Sequence, residues 1–204
     1  MAVVNLLGSW DTYYLNSHNY FLHLAVDDSA NQPPFATFFL NDVDSLLGVS
    51  WPGQKRNWQD KDLLFRGTEI GRIPLITKLL ANELFRNYYL DFMEWFVRRH
   101  FNAGRVRLLQ APCWSILERS VYLEADTPFG APHTNRRWTN DQIHRAAVLD
   151  QTLTSEQEPI KGIRVDGIER FVAARCKKVL GQLGGVTRSP SGVDFDSANW
   201  RLPA

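Results

Sequence analysis

Residues 8–23 read GSWDTYYLNSHNYFLH, and residues 38–48 read FFLNDVDSLLG. Asp11, Asn16 and Asn19 stand just ahead of one short aromatic and aliphatic run, and Asp42-Val43-Asp44 closes the next. Two runs of this kind, Tyr20–Leu24 and Phe35–Leu40, are separated by DDSANQPP, a stretch rich in turn formers, and are read as a β-hairpin. Carboxylates and amides at strand ends have two readings. They terminate strands as solvated turn residues, or they supply oxygen ligands for a hard cation such as Mg²⁺ or Mn²⁺, which in turn binds phosphate.

Around this hairpin the pattern is mostly helical. Residues 1–7, MAVVNLL, read as the end of a helix with Gly8 as its cap, a form in which something is expected to precede them. Residues 45–73, with four glycines and two tryptophans, read as one long irregular loop. Pro74 suits a first helical turn, and Ile76, Leu79 and Leu80 form a short stripe. Asn82 caps the next helix, whose Phe85, Tyr88, Tyr89, Phe92, Trp95 and Phe96 recur at three- and four-residue steps and are read as core. That helix is expected to end near Asn102-Ala-Gly104. A third helical region runs from Arg105 to about Ala125, with Pro112 expected to break or kink it. Thr139 and Gln142 have capping-box spacing for a fourth helix to about Leu149. A last helix runs from about Ile163 to Leu183 and is stopped by Gly184-Gly185. Residues 184–204 read as a mobile tail or linker. The fold class is therefore α+β, mainly helical, with residues 1–72 holding the catalytic-loop-like segment, hairpin and long loop, and 73–183 a helical bundle.

Composition excludes several classes. A formal net charge of +1 over 204 residues argues against a general nucleic-acid binder. No apolar run approaches the length of a membrane span, and the start lacks the basic leader of a signal peptide. At 44% hydrophobic and 12% aromatic residues the chain has enough apolar side chains for a core. Cys113 and Cys176 show no metal-ligand spacing and are read as buried thiols. Arg66, Arg72, Arg136 and Arg137 are weighed as contacts for phosphate or an acidic peptide, against ordinary salt bridges.

An Asp, a later Asn and a strand, followed through a hairpin by a second Asp, is the layout of a kinase catalytic loop and its metal-binding aspartate. Here the chain resembles the CotH kinases, spore-coat-type members of the atypical protein-kinase fold. That family shows N-W-D-x-Y, then N-x-N-N-Y-Y-L-Y, then P-W-D-x-D-x-x-x-G. Ser9–Tyr13, Asn16–His23 and Leu40–Gly48 match these in order, with Leu40-Asn41 where the family has Pro-Trp. The run LL-x-N-x-x-F-R-x-x-Y at 79–89, R-R-W at 136–138 and F-x-x-x-R at 171–175 extend the likeness over roughly residues 1–183.

The resemblance implies a C-lobe-like part of a kinase fold. Asp11 would be the catalytic-loop aspartate. Asn19 would be the amide ligand, with Asn16 as the second choice. Asp42 would be the metal-binding aspartate and Asp44 its support. It further implies ATP, Mg²⁺ or Mn²⁺, a protein substrate bearing Ser or Thr, and a spore-coat or cell-surface setting. The nucleotide lobe, with its phosphate-covering loop and Lys, has no counterpart ahead of Asp11, so the chain is expected to be a piece of a larger domain or a short degenerate relative. Two other readings stand beside this one. One is a non-catalytic coat or binding protein that keeps the fold. The other is a metal-dependent glycosyltransferase using the D-x-D strand end.

Overall fold

The computed structural model describes residues 1–9, 12–13, 19–25, 35–41, 46–49, 58–66, 73–126, 139–154 and 162–197. In chain order these form α1 (Ala2–Leu6), β1 (Tyr20–Ala25), β2 (Phe35–Leu40), a 3₁₀ turn (Trp58–Asp60), α2 (Pro74–Ala81), α3 (Glu83–Arg99), α4 (Ala103–Asp126), α5 (Asn140–Ala147), β3 (Leu153–Thr154), β4 (Arg164–Val165) and α6 (Ile168–Gly184). The class is the expected mainly helical α+β, with two small antiparallel sheets, β1–β2 and β3–β4.

Several local signals act as their chemistry dictates. Gly8, after α1, has φ +64°, the left-handed conformation that glycine adopts without a Cβ penalty. β1 and β2 pair from Tyr20↔Leu40 to Ala25↔Phe35. Pro74 opens α2, where its missing N–H costs nothing. The Asn82 side chain accepts from the Phe85 N–H at 3.0 Å and caps α3. Thr139 and Gln142 form a reciprocal capping box at α5.

The core lies between α1, the 58–65 segment, α2, α3 and α6. Leu6, Leu63, Ile76, Leu90, Met93, Val97, Phe171 and Val179 are all buried there. On α3 this differs from the expected stripe. Tyr89, Leu90, Met93 and Val97 face the core, whereas Phe92, Trp95 and Phe96 are only half-buried. Those three rings make a second ridge, and its cover comes from the segment expected to be a tail.

Residues 186–197 lie back along α3. Phe195 is buried, its ring 5.3 Å from Tyr88, 5.6 Å from Phe92 and 5.7 Å from Trp95. Trp95 Nε1 donates to Asp196 at 2.9 Å, and the Ser191 N–H donates to Asp91 at 2.6 Å. Arg188 pairs with both Asp91 and Glu94. Composition pointed to a mobile tail because two aromatics among polar residues carry no periodicity. An aromatic ridge that would otherwise face water supplies the partner.

Two further departures concern helices. Of the expected break or kink at Pro112, the break does not occur, since α4 runs unbroken from Ala103 to Asp126. Pro112 is exposed, so the Leu108 carbonyl it deprives of a hydrogen bond can turn to water. α4 also turns an apolar face outward, with Ile116 76% and Leu109 69% exposed. Cys113 shares that exposure and is not a buried thiol. Cys176 is half-buried. Its Sγ donates to the Phe101 carbonyl at 2.6 Å, and burial pushes the thiol up to about 11. The last helix begins at Ile168, not Ile163, because Arg164 and Val165 pair with Leu153 and Thr154 as β4.

Two predictions follow from the docked segment. Phe195→Ala should lower stability by about 3 kcal/mol, the cost of emptying an aromatic site, and should make residues 186–197 an early target in limited proteolysis. The second concerns pH. Hydrogen bonding from Arg98, and then Arg188, holds the Glu94 carboxyl below its ordinary 4.5. The stabilisation is complete above that ordinary value and is lost as pH falls through the lowered one. In thermal melts across pH, the stability gap between the parent and Glu94→Gln should be full above about pH 5 and close in stronger acid.

Candidate functional site

Of the residues singled out in the sequence, Asn19 lies within the described structure. Asp11, Asn16, Asp42 and Asp44 lie outside the described residues, as do Arg72, Arg136 and Arg137. The geometry of the site is therefore that of the backbone flanking them.

Asn19 stands at the entry to β1 with φ +57°, a left-handed conformation that Asn tolerates better than most residues. Its carbonyl accepts the Asn41 N–H at 3.0 Å, which extends the hairpin ladder one pair beyond Tyr20↔Leu40. Asn19, midway through the second motif, and Asn41, near the start of the third, are thus hydrogen-bonded neighbours at one mouth of the hairpin. Asp42 is the next residue in the chain after Asn41.

The segment before Asp11 is held separately. Ser9 is buried, and its carbonyl accepts from Lys61 Nζ at 3.0 Å. That ammonium also lies 5.8 Å from the Trp58 ring and 5.7 Å from the Phe65 ring. Lys61 thus contacts Ser9, two residues before Asp11 in sequence, and the sequence reading passed over it because it sits in an irregular loop without periodicity. Thr12, just after Asp11, is buried as well.

The segment after Asp44 ends in Gly48, the last letter of the third motif. Gly48 has φ +88°, and a Cβ there would lie 2.9 Å from both Asp166 Cβ and Phe171 Cδ2. A Cβ on Gly8 would similarly meet Phe171 Cζ at 2.9 Å. One phenyl ring on α6 therefore seats the glycines on either side of the candidate site, and the Leu47 N–H donates to the Leu7 carbonyl at 2.8 Å between them. Asp166, beside Gly48, is buried and fully engaged. It accepts from Gln59 at 2.9 Å, Thr152 at 2.9 Å and Arg164 at 2.8 Å.

One turn after Phe171, Arg175 is completely buried. Its guanidinium donates to the carbonyls of Gln59, at 3.1 Å, and of Lys61, and to the side chain of Asn5. These carbonyl and amide dipoles help to offset the cost of burying the charge. The arrangement links α6 to α1 and to the loop carrying Lys61.

Several polar side chains elsewhere have ordinary structural partners. Arg66 pairs with Asp62 at 3.1 Å, a local i,i+4 bridge. His100 packs edge-on against Trp95 at 4.7 Å, and His144 Nδ1 lies 2.9 Å from the Tyr122 hydroxyl. Among the described residues no three His, Cys, Asp or Glu side chains gather to hold a metal ion. None of the described helices is long and apolar enough to cross a membrane.

The anchoring makes a prediction. Gly48→Ala should destabilise the fold by about 3 kcal/mol or more, through a strained φ and a clash with Phe171. Arg175→Lys should not rescue what Arg175→Met loses, because a point ammonium cannot replace the planar fork. Denaturant unfolding of the three variants tests both statements.

Neither the curated proteins nor the solved structures returned a match. A family model described as CotH kinase protein matches residues 1–126, from α1 through α4 and including all three motifs. That match spans well over half of the chain, and the chain belongs to the CotH kinase family.

Proposed function

We propose that this chain carries the catalytic and metal-binding segments of an ATP-dependent phosphotransferase acting on Ser or Thr of a protein. The observation that carries this reading is the hydrogen bond from Asn41 to Asn19, which sets residues of the second and third motifs side by side at one mouth of the hairpin. Family membership supports it, as does the order of the three motifs.

Asp42, Asp44 and Asn19 offer carboxylate and amide oxygens, a donor set that suits Mg²⁺ or Mn²⁺ and not a soft metal. A bound divalent ion would screen the charge on the phosphate chain. Asp42 and Asn19 would hold that ion, with Asn16 the alternative amide and Asp44 supporting the loop. Asp11 would accept the proton of the substrate hydroxyl and orient its oxygen.

A second reading, a binding protein that keeps the fold without the chemistry, draws on a different observation. The hairpin exposes Phe21, Leu24 and Phe39, and α4 exposes Leu108, Leu109 and Ile116, apolar surface of the kind that partners cover.

Calorimetric titration of Mn²⁺·ATP, together with transfer of labelled γ-phosphate to a Ser/Thr-rich protein acceptor, separates the two. Asp42→Ala should lose metal–nucleotide binding. Asp11→Ala should keep that binding and lower transfer by about 10²–10⁴-fold, the usual weight of a general base. Transfer undiminished in Asp11→Ala overturns the assignment of that residue. Neither binding nor transfer in the parent chain favours the binding-protein reading.

A further inference from the structure

Beneath the segment that follows Asp11 lies a cavity of about 240 Å³. Tyr13, Tyr20 and Phe85 give it aromatic walls, and Val4, Ile76 and Leu79 complete an aliphatic floor. The Tyr13 and Tyr20 rings meet edge to face at 4.9 Å, so the aromatic side is already ordered. Tyr13 is further pinned through its hydroxyl, which accepts the Leu75 N–H at 3.4 Å.

Thr12 lines the same cavity. It is 1% exposed, and its Oγ1 has no hydrogen-bond partner. A buried hydroxyl without a partner is a standing cost, relieved by any occupant that brings one donor or acceptor. The pocket is partly open, and solvent that enters it finds few polar partners, since most of this lining is apolar. By comparison, a dry apolar cavity of about 150 Å³ accepts benzene. The volume here admits a fused two-ring aromatic.

We propose that this cavity is a binding site for a small aromatic molecule carrying one hydrogen-bonding group, with the ring between Tyr13, Tyr20 and Phe85 and its polar atom on Thr12 Oγ1. The site is separate from the nucleotide and metal reading above and stands without it. It does not use Asp11, Asn19 or Asp42. Its occupant nevertheless touches Thr12 and Tyr13, the two residues after Asp11, and so would steady that segment.

Indole and indene serve as probes, because they match in shape and differ in the N–H. Titrated into the full chain by calorimetry, indole should bind saturably, and about five-fold more tightly than indene, the weight of one neutral hydrogen bond. Thr12→Val, which keeps the shape and removes the hydroxyl, should bind the two probes equally. Leu79→Trp, filling the cavity from α2, should abolish binding of both. Hydrogen exchange of the parent gives a readout that needs no variant to fold, since indole should slow the amides at residues 12–13 and 75–79. Absence of saturable indole binding overturns the proposal. So does indole binding that leaves those amides unprotected, or equal affinity for the two probes in the parent.

Discussion

A single buried guanidinium, that of Arg175, organises this molecule. It has no exposure to water and spends its donors on the carbonyls of Gln59 and Lys61 and on the side chain of Asn5. Those acceptors help to offset the cost of burying the charge. α1 and the 58–62 segment are thereby held to α6. Phe171, one turn earlier on α6, presses against Gly8 and Gly48 and excludes a side chain at both. The two segments that carry the candidate chemistry are far apart in sequence and end on the same ring.

α3 has a related double role. Its core face, Tyr89 to Val97, packs on α1, α2 and α6, and the Tyr89 hydroxyl reaches the Leu63 carbonyl at 2.8 Å. Its other aromatic ridge is sealed by Phe195 and by the charges of Arg188 and Asp196. A helix so aromatic needs two partners, and the second comes from about a hundred residues downstream. The family match ends with α4, whereas the anchors, Phe171, Arg175 and Phe195, all lie beyond it. The part of the chain that the family model matches thus relies for its shape on residues beyond it.

The hairpin that bears the candidate residues was legible because its causes are local. The order of Asp11, Asn19 and Asp42 around a hairpin can be read because strand periodicity and turn chemistry act over a few residues, and the Asn19–Asn41 hydrogen bond follows from that register. Lys61 was not legible. It reaches Ser9 from an irregular loop about fifty residues away, and nothing in its neighbours marks it. Thr12 was equally silent, because a threonine beside an acid gives no sign that its hydroxyl will be buried without a partner.

By itself the sequence determined the elements whose causes are local. These are the Gly8 cap, the β1–β2 hairpin, the Pro74 and Asn82 helix starts, the Thr139–Gln142 capping box and the family to which residues 1–126 belong. Backbone dihedral preference and short-range hydrogen bonding suffice for each. The tertiary structure decided which face of α3 is core, that α4 runs through Pro112 with its apolar face outward, that residues 186–197 close over α3, and that Arg175 is buried. Those outcomes depend on which surfaces remain uncovered once the elements meet. That is a property of the packed whole, and no window of neighbouring residues contains it.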